Sequence, residues 1–263
     1  LARVSPKKSL GQHFLKDSFV RDKIIDALQA GKDDWVVEIG PGTGAMTGIL
    51  KSRYPDFEAI ELDQRAIAAL EEKYPGIRVH HADVVRFDWA GYAGRAGKKL
   101  HIVGNLPYYI TSQILFDLIA AHEVVEEAVV MMQLEVAQRL VAKPRTKSYG
   151  ILSVLIQRYT EPELLFNVSR DVFYPKPDVE SAVVRLVFRK EPEGMDRVSH
   201  RLFKRVVKAS FNQRRKKLKN SLKSLLADTQ GTIPEQWEGA RAEELTPSDF
   251  LTLTRHLFDI DDT

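Results

Sequence analysis

The stretch Val36-Val37-Glu38-Ile39-Gly40-Pro41-Gly42-Thr43-Gly44 constrains this chain more than any other feature. A short apolar run ends in a glycine-rich turn, and helical spacing over residues 45–53 follows at once. Glycines at that place let the backbone approach a ligand closely at the carboxyl end of a strand, which is where open parallel sheets bind their ligands. A tight turn with no ligand is the competing explanation.

The alternation continues downstream. Strand character recurs at 57–61, 78–81, 100–104 and 128–132, with helical spacing over 64–73 and 112–121, and residues 18–30 form a helix stopped by Gly31. Strands alternating with helices predict an α/β fold of Rossmann-like type, with a mostly parallel central sheet covered on both faces. The β-branched content of 151–158 and 182–189 predicts two further strands, returning at the sheet edge. Pro192 and Gly194 mark the segment 189–195 as the boundary between a domain over 1–190 and another over 191–263. Beyond it, Leu202, Phe203, Val206, Val207 and Phe211, then Leu218, Leu222 and Leu225, keep helical spacing and predict a small all-helical domain.

Charge distribution says more than charge total. The net charge of +3 over 263 residues is slight, yet residues 198–227 hold ten cations and no acid. They are Arg201, Lys204, Arg205, Lys208, Arg214, Arg215, Lys216, Lys217, Lys219 and Lys223. A solvated helix face is the plain alternative, but this density exceeds what solubility requires and fits contacts to nucleic-acid phosphates, with Lys7, Lys8 and Gln12 as candidate extensions of that surface. With no cysteine, disulfide frameworks and thiolate zinc sites are excluded. No apolar run has the length of a signal peptide core or a membrane span, so the expected location is cytoplasmic, with no membrane partner.

Two acids follow the glycine turn. Glu61 ends the next strand, at about the ~20-residue offset where an acid accepts hydrogen bonds from ribose hydroxyls. Asp83, in Ala82-Asp83-Val84, follows the third strand, where it can accept from the adenine amine of a nucleoside cofactor. A nicotinamide dehydrogenase would also use an acid at the first position, but Gly40, Gly42 and Gly44 depart from GxGxxG spacing.

The segment Asn105-Leu106-Pro107-Tyr108-Tyr109 carries the chemistry. An exocyclic adenine amine is a poor nucleophile because its lone pair is delocalised into the ring. An amide oxygen from Asn105 and the Leu106 carbonyl, both accepting its N–H hydrogens, would favour a pyramidal nitrogen and expose the lone pair. Tyr108 beside them can stack on an extruded base, a contact worth ~1–3 kcal/mol. Without the glycine motif, an Asn-Pro turn next to core aromatics would be the better reading. In Phe173-Tyr174-Pro175-Lys176-Pro177 two prolines stiffen a loop that can hold an aromatic ring over a base; the alternative is an edge loop that packs Phe173 in the core. His80 and His81 lie near Asp83, but neighbours on a strand point to opposite faces, so no metal is expected.

These segments together carry a resemblance. GQHFL at 11–15, EIGPGTG at 38–44, NLPYY at 105–109, FYPKPDVES at 173–181 and FNQRRKKLKNSL at 211–222 resemble, in one order along almost the whole chain, the ribosomal RNA adenine dimethyltransferase family, most closely its bacterial small-subunit branch. The resemblance implies a Rossmann-like methyltransferase domain over 1–190 and a helical RNA-binding domain over 191–263. It implies S-adenosyl-L-methionine as methyl donor and S-adenosyl-L-homocysteine as product. His13, Leu15, Glu38, Gly40, Gly42, Glu61, Asp83 and Asn105 would line the cofactor site. Asn105, Leu106, Pro107 and Tyr108 would meet the target amine, with Phe173 as a second stacking ring. His13 stands where many relatives have Asn. The implied substrate is a pair of adjacent adenosines in a hairpin near the 3′ end of small-subunit (16S) ribosomal RNA, met in an assembling 30S particle by a monomeric enzyme. Methyltransferases acting on large-subunit RNA or on DNA adenine, and a chiefly structural assembly factor, remain the alternatives.

Overall fold

The computed structural model describes residues 5–7, 10–190, 198–213 and 215–260. Two compact units emerge, one from residues 1–137 and 161–188, the other from 138–160 and 189–263. The segment 138–160 therefore clusters with the second unit, whereas sequence reasoning kept it with the first. Most of the boundary segment 189–195, Pro192 and Gly194 included, lies outside the described residues.

In the first unit, β1 (Phe14–Leu15) and α1 (Ser18–Asp26) precede β2 (Trp35–Ile39), α2 (Thr47–Arg53), β3 (Phe57–Glu61), α3 (Gln64–Lys73), β4 (Val79–His81) and α4 (Trp89–Ala96). Then come β5 (Leu100–Asn105), α5 (Thr111–Ala120), β6 (Val125–Gln133) and α6 (Leu134–Leu140). After α7 (Ile151–Tyr159) follow β7 (Thr160–Val168), β8 (Phe173–Tyr174) and β9 (Ser181–Phe188). Aspartates start three of the helices: Asp17, Asp63 and Asp88 accept the amides of Val20, Arg65 and Gly91. Gly97, left-handed at φ 61°, ends α4.

The sheet runs β4-β3-β2-β5-β6-β9-β7. Its first five strands are parallel, and β9 lies antiparallel to β6. All five residues of β3 and the last four of β2 are buried, as a parallel sheet covered on both faces requires. The strand order turns round between β2 and β5, with Ile39 paired to Gly104. This switch point opens a crevice at the carboxyl ends of those strands.

One expected strand is a helix. Residues 151–158 form α7, and Ser153, Val154, Leu155, Ile156, Arg158 and Tyr159 are all buried on it. A short, largely buried helix shows too little polar alternation for periodicity to separate it from a buried strand, and its β-branched residues tip the reading towards strand. The Ser153 hydroxyl accepts the Gly150 amide at 3.0 Å and donates to the Arg139 carbonyl at 2.6 Å, closing the helix start. The strands flanking the edge are instead β7 and β9.

The second unit is helical. After α7 come α8 (His200–Phe211), α9 (Leu218–Ser221), α10 (Lys223–Ala227), α11 (Glu235–Glu238) and α12 (Pro247–Phe258). Helix α8 buries Phe203, Val206, Val207, Ser210 and Phe211 on one face. Its Phe211 ring lies 5.8 Å from Phe250 of α12 and 6.3 Å from Tyr149. Thr246 and Asp249 cap α12 reciprocally, with Pro247 in its first turn. Among the described residues no helix is long and apolar enough to cross a membrane.

Candidate active site

The glycine turn leaves β2 at the switch point with Gly40, Gly42 and Gly44 all at positive φ, 64°, 54° and 76°. Hydrogen bonds lock it: the Gly40 amide donates to the Ile60 carbonyl at 2.9 Å and the Gly44 amide to the Pro41 carbonyl at 2.9 Å. The Gly42 amide donates to Glu61 Oε2 at 3.1 Å. Glu61 Oε1 accepts the amides of Leu62 and Asp63, each at 2.8 Å. The acid at the end of β3 is thereby oriented by three backbone donors. Asp83 Oδ1 accepts the Val85 amide at 3.0 Å, which caps the single turn Val84–Arg86 and fixes the second acid at the end of β4.

Glu38, on β2 beneath the turn, is 1% exposed and accepts the Thr47 hydroxyl at 2.7 Å. Burial pushes its carboxyl up to about 8, and the negative charge of Glu61 adds to the shift.

Asn105 ends β5 and is half-buried. Its Nδ2 donates one of its two hydrogens to the His13 carbonyl at 2.9 Å, which orients the amide, with Oδ1 as its accepting atom. The next amide, Leu106 N, continues the ladder to Met131 O at 2.9 Å. The Pro107 carbonyl accepts the Thr111 hydroxyl at 2.9 Å and the Ile110 amide at 3.2 Å, closing the turn before α5. Tyr108 shares a 2.6 Å hydrogen bond with the Ser181 hydroxyl, and burial pushes its phenol above the usual tyrosine range, which keeps it neutral. Its ring stacks on His13 at 5.5 Å and 23°. His13 Nδ1 donates to the Pro175 carbonyl at 2.7 Å.

One cleft of about 410 Å³ is lined by His13, Leu15, Glu38, Gly40, Gly42, Glu61, Asp83, Asn105, Leu106, Pro107 and Tyr108, residues drawn from β1, β2, β3, β5 and the segments that adjoin the sheet. Phe173 is not among them. It is 1% exposed and packs in the core with Leu15, its partner in the β1–β8 ladder. Successive strand residues face opposite ways, so the ring that faces out is Tyr174, 60% exposed. The ring expected to stack on a base is thus a core ring in this structure.

Sequence reasoning overlooked the walls and the latch of this cleft. Leu62 and Val84 flank the two acids, and their apolar character next to Glu61 and Asp83 was the available signal. Asp63 anchors the leader: Gln12 Nε2 donates to it at 3.3 Å, Lys7 lies 3.7 Å away, and Arg65 Nη2 is 2.6 Å from it. The Arg65 guanidinium holds the Asp63 carboxyl down at about 2. Lys7 and Gln12 thus face an acid of their own unit; Lys8 lies outside the described residues.

On the second unit Arg201, Arg205, Lys208, Arg215, Lys216, Lys217 and Lys219 are exposed and Lys204 is half-buried, while Arg214 lies outside the described residues. On α8 these cations occupy the face opposite the buried one. Arg205 pairs with Asp228 at 2.9 Å. His80 serves its own network, 2.5 Å from Glu58 and beside Tyr92, and among the described residues no three or more His, Asp or Glu side chains are grouped to hold a metal ion.

The cleft suits an adenosyl sulfonium: carboxylates at Glu61 and Asp83 to accept from hydroxyls and an amine, and apolar walls for a flat ring. Fold and cleft define the class, a Rossmann-like methyltransferase dependent on S-adenosyl-L-methionine. A family model described as "Ribosomal RNA adenine dimethylase" matches residues 3–258, and the chain belongs to that family. It is 47% identical over 252 residues to "Ribosomal RNA small subunit methyltransferase A" of Salinibacter ruber, covering 96% of this chain and 85% of that protein. The protein of the same name from Chlorobium phaeobacteroides is 41% identical over 253 residues, 95% of this chain and 90% of its own length. Among solved structures, the 23S rRNA methyltransferase ErmE shares 28% identity and a TM-score of 0.67 over 93% of this chain and 99% of that one. A dimethyladenosine transferase from Plasmodium falciparum has the same fold, with a TM-score of 0.79 at 24% identity over 91% of this chain and 95% of that one.

Proposed function

We propose that this enzyme dimethylates the N6 amines of two adjacent adenosines in a hairpin near the 3′ end of small-subunit ribosomal RNA, acting as a cytoplasmic monomer on an assembling 30S particle. The observation that carries the reading is Asn105: it lines the cleft beside Gly40, one hydrogen of its nitrogen is tied to the His13 carbonyl, and that bond fixes the amide so that Oδ1 is available to accept.

When bound, the cofactor supplies a methyl group activated by a sulfonium. The chain supplies alignment. Asn105 Oδ1 and the Leu106 carbonyl accept the hydrogens of the amine, two before the first transfer and one before the second, drawing its lone pair out of the ring. Tyr108, restrained through Ser181, stacks on the extruded base. Holding both reactants in one water-poor cleft accounts for most of the acceleration. The nitrogen loses its proton after attack, once positive charge makes it acidic. Glu61 and Asp83 hold the nucleoside, with His13, Leu15, Glu38, Gly40 and Gly42 shaping its pocket. Exposed cations of the second unit, led by Arg201 and Lys208, grip phosphates and position the RNA without reading sequence.

The likeness to a 23S enzyme keeps a large-subunit adenine as the second reading, but the higher identity to small-subunit enzymes favours the first. Nucleoside mass spectrometry after incubation with labelled cofactor separates them, using immature small subunits, naked small-subunit RNA, large-subunit RNA and duplex DNA. Dimethyladenosine should appear in the small-subunit substrates and vanish with Asn105→Ala. Product confined to large-subunit RNA or DNA would overturn the assignment.

A further inference from the structure

Tyr108 and Tyr109 are neighbours with different circumstances. Tyr108 is restrained by Ser181 and His13, whereas Tyr109 is 57% exposed at the lip of the same cleft. A large aromatic left in water stabilises the fold little. Its ring is nonetheless held. Gly11, at φ 55°, lies so close that a Cβ there would sit 3.0 Å from Tyr109 Cδ1 and 3.4 Å from Cε1. The backbone on that side is fixed in turn, because Gln12 accepts the Lys7 amide at 2.9 Å and donates to Asp63. One side of the ring rests on a latched segment and the remainder faces solvent, one residue beyond the ring assigned to the target base.

An adenosine entering the cleft must leave its stack, and so the base next to it loses a stacking partner as well. We infer that Tyr109, held against Gly11, is a stacking platform for the unpaired base adjacent to the adenosine in the cleft. This rests on the functional reading above and adds a binding position that the target amine does not use. A ring already fixed loses little freedom on binding, so it contributes affinity where a mobile one would not. Stacking is indifferent to base identity, which suits an enzyme that must present either of two neighbouring adenosines in turn.

Single-turnover methylation of small-subunit RNA is the test, with unmodified RNA and with RNA carrying an abasic nucleotide on one or the other side of the target. Tyr109→Ala should raise the half-saturating RNA concentration about tenfold while the maximal rate, cofactor affinity and thermal unfolding stay close to those of the wild type. Tyr109→Phe should restore RNA affinity. One of the two abasic substitutions should weaken the wild type by a similar factor and cost Tyr109→Ala nothing more. An unchanged half-saturation in Tyr109→Ala, no rescue by Phe, or losses that add would overturn the platform. A wild type that transfers no methyl to this RNA, either naked or assembled in immature small subunits, would overturn the functional reading and the platform with it; an active wild type with any of those three results removes the platform alone.

Discussion

Glu38→Gln tests whether the floor of the cleft holds a proton. Glu38 is 1% exposed, its Oε2 accepts the Thr47 hydroxyl at 2.7 Å, and burial carries its ionisation from the usual 4.5 to about 8. Below pH 4.5 folded and unfolded chains both hold the proton and no stability is lost. Between 4.5 and 8 the unfolded chain releases it and the folded chain keeps it, so stability falls by ~1.4 kcal/mol per pH unit. Above 8 the loss is complete, with a ceiling of ~5 kcal/mol. Relaxation and water entry around a buried carboxylate lower such figures, and ~1–2 kcal/mol is the expected size. Glutamine keeps the acceptor for Thr47 and has no proton to lose. Urea titrations from pH 5 to 8 should therefore show the variant level with the wild type at the acid end and progressively more stable toward pH 8. Tryptophan emission in a Trp237→Phe background reports the first unit through Trp35 and Trp89. A gap that stays constant with pH, or that turns against glutamine as pH rises, would show that the folded chain carries Glu38 ionised and would refute the reasoning.

Gly104→Ala should destabilise the first unit by ~3 kcal/mol in the same titration and weaken cofactor binding in calorimetry, because the new Cβ would lie 2.6 Å from the Ile39 carbonyl oxygen at the switch point. Phe173→Ala should cost ~3–5 kcal/mol of stability, as emptying a core position does; an unchanged unfolding midpoint would return the ring to the stacking role. Arg201→Ala and Lys208→Ala should each lower the salt dependence of RNA binding by about one counterion, seen as a shallower slope of log affinity against log salt, with cofactor affinity untouched.

The order of strands and helices in the first unit was legible because each carries its own period and punctuation: Phe57–Glu61 and Gln64–Lys73 stand where sequence reasoning put them. Helix α4 was hidden by its Ala and Gly content, although Asp88 and Gly97 mark both ends. Residues 151–158 misled because Ile151, Val154 and Ile156 supply β-branched content, which a largely buried helix can carry as well as a buried strand. That ambiguity is physical: what distinguishes them is the partner surface, which lies far away along the chain.

Residue types and local spacing alone determine the alternating architecture, the glycine turn, the acids after successive strands, the Asn-Leu-Pro-Tyr segment and the acid-free basic stretch. Tertiary structure alone decides that Gly40 and Asn105 are neighbours, since this follows from Ile39 pairing with Gly104 across strands more than sixty residues apart. It alone turns Phe173 inward and Tyr174 outward, ties the Asn105 nitrogen to His13, and buries the carboxyl of Glu38 under the cleft, which pushes its pKa up. Chemical capacity is a property of each side chain, but which face of a strand is buried and which lone pair stays available depend on what the rest of the fold brings against it.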